Sequence, residues 1–220
     1  MNRPALKKLL KNYHVPANVM AHMVKVTALS MYLGHRLKDA GCRINLRLLR
    51  QAGLLHDVLK ICDFKTPSGT ADSQNPNLRR QKVWQKIKKQ YAGLDHVSAG
   101  YALLISLGEY KIAEMIKKHR FSSVINEDPR ERPLTWEEKI LYYADKRVAH
   151  DKIVTLRERL DDLNKRYGQH ALTKKSYENT NEIFRLEKEI CRAATLDPQQ
   201  ITDGKIITAA EYLSVRKYLS

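Results

Sequence analysis

Cysteine is scarce in this sequence of 220 residues: Cys42, Cys62 and Cys191 are an odd number and form no C-x-x-C pair. That argues against a disulfide framework and for reduced thiols in a reducing cytosol. Long apolar runs are missing too. The N-terminal MNRPALKKLLKNYHVP lacks the uninterrupted apolar stretch of a signal peptide, and no later segment is long enough to span a bilayer. A cytoplasmic protein with no membrane partner is the expectation. Repeats, low-complexity tracts and convincing alternating strand patterns are also lacking. Acidic residues are in deficit, with 24 Asp plus Glu against 40 Lys plus Arg and a formal net charge of +16. A field of that sign attracts nucleotides, nucleic acid or other phosphorylated ligands, but it does not specify a reaction.

What is present is helical periodicity. Val19, Met23, Val26, Ser30 and Leu33 mark one helix face. A second helix is expected from about Asn45, through Leu48, Leu49, Ala52 and Leu55, to Leu59. Lys65 to Asn77 is rich in Pro, Gly, Ser and Asn and reads as a loop. It leads into LRRQKVWQKIKKQY, a very basic helix with Trp84, Ile87 and Tyr91 on a narrow stripe. Two short helices follow over HVSAGYALLISL and KIAEMIKKHR, separated at Gly108. Thr135 and Glu138 have capping-box spacing before WEEKILYYADKRV. Ile153, Leu156, Leu160, Leu163 and Tyr167 form another amphipathic face that stops near Gly168, and a further helix spans roughly Tyr177 to Ala194. Thr208 and Glu211 repeat the capping-box spacing before a last helix. The fold class is therefore all-α.

The histidines stand out against this pattern. His22 lies three residues after Val19 and four before Val26, and His119 follows Ile112 and Ile116 at helical spacing, so both point inward. His56 and Asp57 sit inside the apolar LLHDVL, where a carboxylate is costly unless paired. Asp145 borders the apolar stripe of its helix, and His96 opens its own helix with Ala99, Gly100 and Leu103 on the same side. A single inward histidine is usually a satisfied core residue. Four of them with two acids, on separate helices, are hard to satisfy independently in a low dielectric. One or two cations would serve them together. Nitrogen and carboxylate donors without thiolate suit divalent transition metal ions such as Fe, Mn, Co, Ni or Zn, with Mg also admitted. His14, His35, His150 and His170 occupy polar or boundary contexts and are set aside as surface residues.

The ordered set His22, His56-Asp57, His96, His119 and Asp145 (H…HD…H…H…D) resembles the HD-domain superfamily over about Val15 to Ile153. HDVLK looks like the common HD-x-x-K form of that family, which adds Lys60. The resemblance implies a helical bundle carrying a dinuclear site. In it His22, His56, Asp57 and Asp145 hold the first metal, and His96 and His119 hold the second with Asp57 bridging. It further implies a metal-dependent phosphohydrolase that cleaves a phosphoester or phosphoanhydride with a metal-activated water. Asp57 and Lys60 are then the catalytic candidates, Lys60 through contact with a phosphate oxygen. A surface lysine at a helix end is the equal alternative for Lys60. Lys146 and Arg147 read as solvated side chains.

The expected organisation is a domain over residues 1–153, with a basic loop-helix insert at 65–91, followed by helices at 154–220 that pack on the core or on a second copy in a homodimer. The insert reads as a candidate electropositive lid governing substrate choice, the alternative for most of its charges taken singly being a solvated helix face anchored by Trp84, and the segment from Ile153 onward shows no chemistry. A nucleotide or similar small phosphorylated substrate is the leading expectation, since the six-ligand set looks like that of bacterial diadenosine-polyphosphate hydrolases. The Gly-Tyr-Pro signature of the cyclic-dinucleotide phosphodiesterases is absent. Two other activities fit the same ligands: an HD-type nuclease on single-stranded nucleic acid, which suits +16, and a di-iron oxygenase.

Overall fold

The computed structural model describes residues 1–64, 78–167 and 174–219. It is all-α apart from one two-stranded hairpin. The central element is α2 (Ala17–Asp39), which opens after Pro16 and buries residues on most of its circumference, from Val19 and Met23 to Leu37. A helix apolar nearly all round must be enclosed by others. Here α3 (Leu46–Gly53), α7 (Trp136–Lys146) and α11 (Ala210–Leu219) pack around it. A preceding helix, α1 (Arg3–Asn12), not anticipated from the sequence, buries Leu6, Leu9 and Leu10.

The helix expected to run on to Leu59 ends at Gly53. Gly53 is where the chain meets α2 most closely, since a Cβ there would lie 2.7 Å from Thr27 Oγ1 and 3.1 Å from the Thr27 backbone. Beyond it the chain continues in tight turns, with Leu55, Val58, Lys60 and Cys62 N–H groups each donating to the carbonyl three residues back. His56 and Asp57 therefore sit in a compact turn pressed against α2, followed by a 3₁₀ turn at Lys60–Asp63.

The helix α4 (Leu78–Gln90) buries Trp84 and Ile87. Next come α5 (His96–Ser106) and α6 (Tyr110–Lys117), which pack on each other, with Gly108 between them at φ +73°. The Thr135–Glu138 capping box is formed at the start of α7. Glu138 Oε1 also accepts from the buried Lys118 Nζ at 2.8 Å, which ties the end of α6 to the start of α7. After α7 the chain turns through the hairpin β1 (Val148–Ala149) and β2 (Lys152–Ile153), antiparallel with Val148 opposite Ile153. His150 adopts φ +57° in its turn.

The C-terminal helices are α8 (Leu156–Tyr167), α9 (Lys174–Ala193), α10 (Asp203–Ile207) and α11. Of these, α9 packs on α7 and α10 on α2. The anticipated capping box at Thr208 does not form, because the Thr208 hydroxyl turns back to the Gly204 and Lys205 carbonyls of α10. The expected loop over Lys65–Asn77 and the stop near Gly168 lie outside the described residues. Among those described, no helix is long and apolar enough to cross a membrane.

Candidate metal centre

The six residues singled out in the sequence come together. Their ligand atoms form two groups, His22 with His56 and Asp145, and Asp57 with His96 and His119. Two come from the turn after α3 (His56 and Asp57), one each from α2, α5 and α7 (His22, His96 and Asp145), and His119 from just beyond α6. The rings stand side by side, with centroids 5.4 Å apart for His22 and His56, 5.2 Å for His56 and His119, and 5.4 Å for His96 and His119.

Every imidazole is held by its outer nitrogen. Nδ1 of His22 donates to the His150 carbonyl at 2.8 Å, Nδ1 of His56 to Gly53 at 2.8 Å, and Nδ1 of His119 to Ile116 at 2.6 Å. A carbonyl can only accept, so Nδ1 carries the proton in these three and Nε2 is the atom turned to the centre. His96 Nδ1 is 2.5 Å from Asp63 Oδ2, and Asp63 Oδ1 accepts from the His96 backbone N–H at 2.9 Å. Tethering the distal nitrogen to a carbonyl or carboxylate is how metal-ligating histidines are oriented.

The inner atoms are closely gathered. His22 Nε2 lies 3.0 Å and His56 Nε2 3.6 Å from Asp145 Oδ1. On the other side, His96 Nε2 and His119 Nε2 are 3.3 Å apart, and they stand 3.1 Å and 3.6 Å from Asp57 Oδ1. The second oxygen of Asp57 faces His56 Nε2 at 3.8 Å. Yet His56 Nε2 and Asp57 Oδ1 are buried without a hydrogen bond. Donors about 2.1 Å from one ion stand roughly 3.0 to 3.4 Å apart. The spacing and the two orphaned buried atoms fit divalent metal.

The protonation states agree. Burial pulls the His119 imidazole down to about 4, so it is neutral at pH 7. At His96 burial acts in the same direction, but Asp57 and Asp63 outweigh it and hold the imidazole at about 9. Burial alone would raise Asp57, yet Lys60 and His56 keep it well below the usual carboxylate range, and Lys146 and His22 do the same for the buried Asp145. Metal uptake at His96 would thus displace a proton.

Residues 19–149 match the family model for the HD domain. The chain belongs to the HD domain family. That membership implies metal-dependent hydrolase activity and the binding of divalent metal. Uncharacterized protein MJ0778 of Methanocaldococcus jannaschii is 24% identical over 171 residues, covering 74% of this chain and 84% of that protein. No solved structure matches the chain.

Several residues of this HD core were illegible or misread in the sequence. Asp63 was missed, although it is the lone acid in the apolar VLKICDF that follows the HD pair. Lys146, expected in solvent, is buried, and its Nζ donates to the His119 carbonyl at 2.9 Å and to Asp145 Oδ2 at 2.6 Å. Arg147, also expected in solvent, is only 1% exposed. His150, set aside as a surface residue, is exposed, but its backbone carbonyl fixes the His22 ring. Lys60 is partly exposed, with Nζ 3.1 Å from His96 Nε2 and 3.8 Å from Asp57 Oδ1, so it borders the centre and is no remote surface lysine.

The centre opens into a cavity of about 890 Å³. Among the described residues α4 does not line it: Trp84 is buried and donates to the His14 carbonyl at 2.9 Å. The loop part of the anticipated lid lies outside the described residues. The lining includes Arg159 and Leu163 of α8, from the segment in which the sequence showed no chemistry.

Proposed function

We propose that the chain is a dinuclear phosphohydrolase cleaving a phosphoester or phosphoanhydride of a nucleotide or similar small anionic molecule. The observation that carries this reading is two adjacent donor triads, His22–His56–Asp145 and Asp57–His96–His119, with Asp57 Oδ2 turned to His56 Nε2 at 3.8 Å, beside a cavity that Lys60, Arg120, Lys146 and Arg159 also line. His22, His56 and Asp145 would hold one divalent ion and His96 and His119 the other, with one Asp57 oxygen turned to each side. When bound, such ions supply Lewis-acid polarisation of the phosphoryl group and a more acidic attacking water.

The chain's own residues supply the rest. Burial would lower the Lys60 amine, but Asp57 and Asp63 overcome this, so it stays an ammonium able to offset charge on a phosphoryl oxygen. Arg120 is held against Asp95 and Ser98 at the cavity wall. A concave site of this volume suits a nucleotide-sized molecule better than a polymer. The three cysteines are free, in keeping with a reducing cytoplasm.

The test is to measure bound metal in the purified protein and after loading with Mn or Fe, then phosphate release from a panel of nucleotides. Oxygen uptake by the iron-loaded sample runs in parallel. Phosphate release that depends on metal is expected; a protein that takes up neither ion would sink the reading. Two variants sharpen it. Lys60→Ala is expected to keep its metal and lose about 100-fold in kcat. Asp63→Asn, which weakens the support of His96, should reduce metal affinity about 10- to 100-fold, seen as loss of metal on dialysis at unchanged helical content.

A further inference from the structure

Among the described residues four cationic side chains line the cavity, and each has an acidic partner in the protein. Arg120 pairs with Asp95, Lys146 with Asp145, and Lys60 sits among Asp57, Asp63 and His96. Arg159 is different. Its side chain is only 17% exposed, one terminal nitrogen reaches Asp162 at 3.1 Å, and its Nε is buried without a hydrogen bond. A guanidinium offers five donors in a fixed fork, and a buried unmet donor is costly. Arg50 Nε is also unmet, but that guanidinium lies over the Tyr218 ring and does not line the cavity. Leu163 follows Arg159 by one helical turn on the same wall, an apolar shoulder beside the charge.

The geometry points to Arg159 as a second anion subsite, one that holds a phosphate of a nucleoside di- or triphosphate while another phosphate lies at the metal centre. The inference rests on the hydrolase reading for the position of that other phosphate. Arg159 lies beyond residues 19–149, so the subsite is built by the C-terminal helices and not by the matched HD core. With one terminal nitrogen on Asp162 and Nε buried, the other terminal nitrogen is the donor left to meet a phosphate oxygen, and the Asp162 pair holds it in place.

The experiment uses the full chain loaded with Mn and calorimetric titration with two probes, inorganic phosphate and ADP. Wild type is expected to bind ADP at least about tenfold more tightly than phosphate. Arg159→Gln should erase that difference by weakening ADP alone, with metal content and thermal midpoint unchanged, and Arg159→Lys should recover part of it. ADP binding that is the same in Arg159→Gln and wild type overturns the subsite, as does a wild type that binds ADP no better than phosphate. Turnover is read separately. Arg159-dependent ADP binding without phosphate release from any nucleotide would leave the subsite standing and overturn the hydrolase reading.

Discussion

Asp57→Ala is expected to strip the centre of retained metal and to lower phosphate release by at least about 1,000-fold. Among the described residues Asp57 is the carboxylate that touches both triads: Oδ1 lies 3.1 Å from His96 and 3.6 Å from His119 within its own, and Oδ2 lies 3.8 Å from His56 of the other. Its removal therefore damages both groups of ligands, whereas loss of any one histidine damages one. The effect on folding separates this from simple unfolding. A ligand that binds only the native state stabilises it by about 2.7 kcal/mol at a hundred times its Kd. Manganese should accordingly raise the melting temperature of wild type and leave that of Asp57→Ala unmoved. The metal-free variant itself should melt below metal-free wild type, because Lys60 and the His96 imidazolium lose a carboxylate partner, so the readout is the shift that manganese adds to each protein. Wild-type turnover in Asp57→Ala would place the chemistry elsewhere.

The legibility of this centre in the sequence has a physical basis. His22 and His119 lie on apolar faces with a clean 3.6-residue period, and His56-Asp57 interrupts an apolar run, so their inward orientation follows from local pattern alone. The end of α3 does not. Leu54, Leu55, Val58 and Leu59 are all buried and continue the apolar pattern past Gly53, so that pattern carries no stop signal, and the close approach of Gly53 to Thr27 involves another element. Lys146 and Arg147 were misread for a related reason. Charged residues after a helix are ordinarily solvated, and only partners distant in sequence overturn that rule: His119 for Lys146, and Glu187, Pro198 and Ile201 for Arg147. The same applies to α8, whose amphipathic pattern says that one face is covered but not that Arg159 looks onto the cavity.

Arg147 gives the largest expected effect on stability. Its Nε donates to the Val154 carbonyl, one terminal nitrogen to the Tyr143 hydroxyl and to Glu187 Oε2 at 3.1 Å, and the other to the carbonyls of Pro198 at 3.3 Å and Ile201 at 2.9 Å. A single side chain thus joins α7, the strand exit of the hairpin, α9 and the turn before α10. Arg147→Met fills much of the volume but leaves the Val154 and Ile201 carbonyls unmet, Pro198 keeping only the Ile201 N–H, and removes the cation from Glu187, whose side chain is 12% exposed. Breaking a buried pair from one side costs about 3 to 5 kcal/mol, whereas removing both partners together is often near neutral. Arg147→Met should therefore lower the melting temperature by about 6 to 20 °C, at roughly 2 to 4 °C per kcal/mol for a chain of this size. Adding Glu187→Leu should recover part of that loss. The hairpin carries the His150 carbonyl that orients His22, so the surviving folded fraction of Arg147→Met should also hold metal more weakly than wild type. A melting temperature within about 2 °C of wild type in the single variant would show that the four elements are held together without this guanidinium.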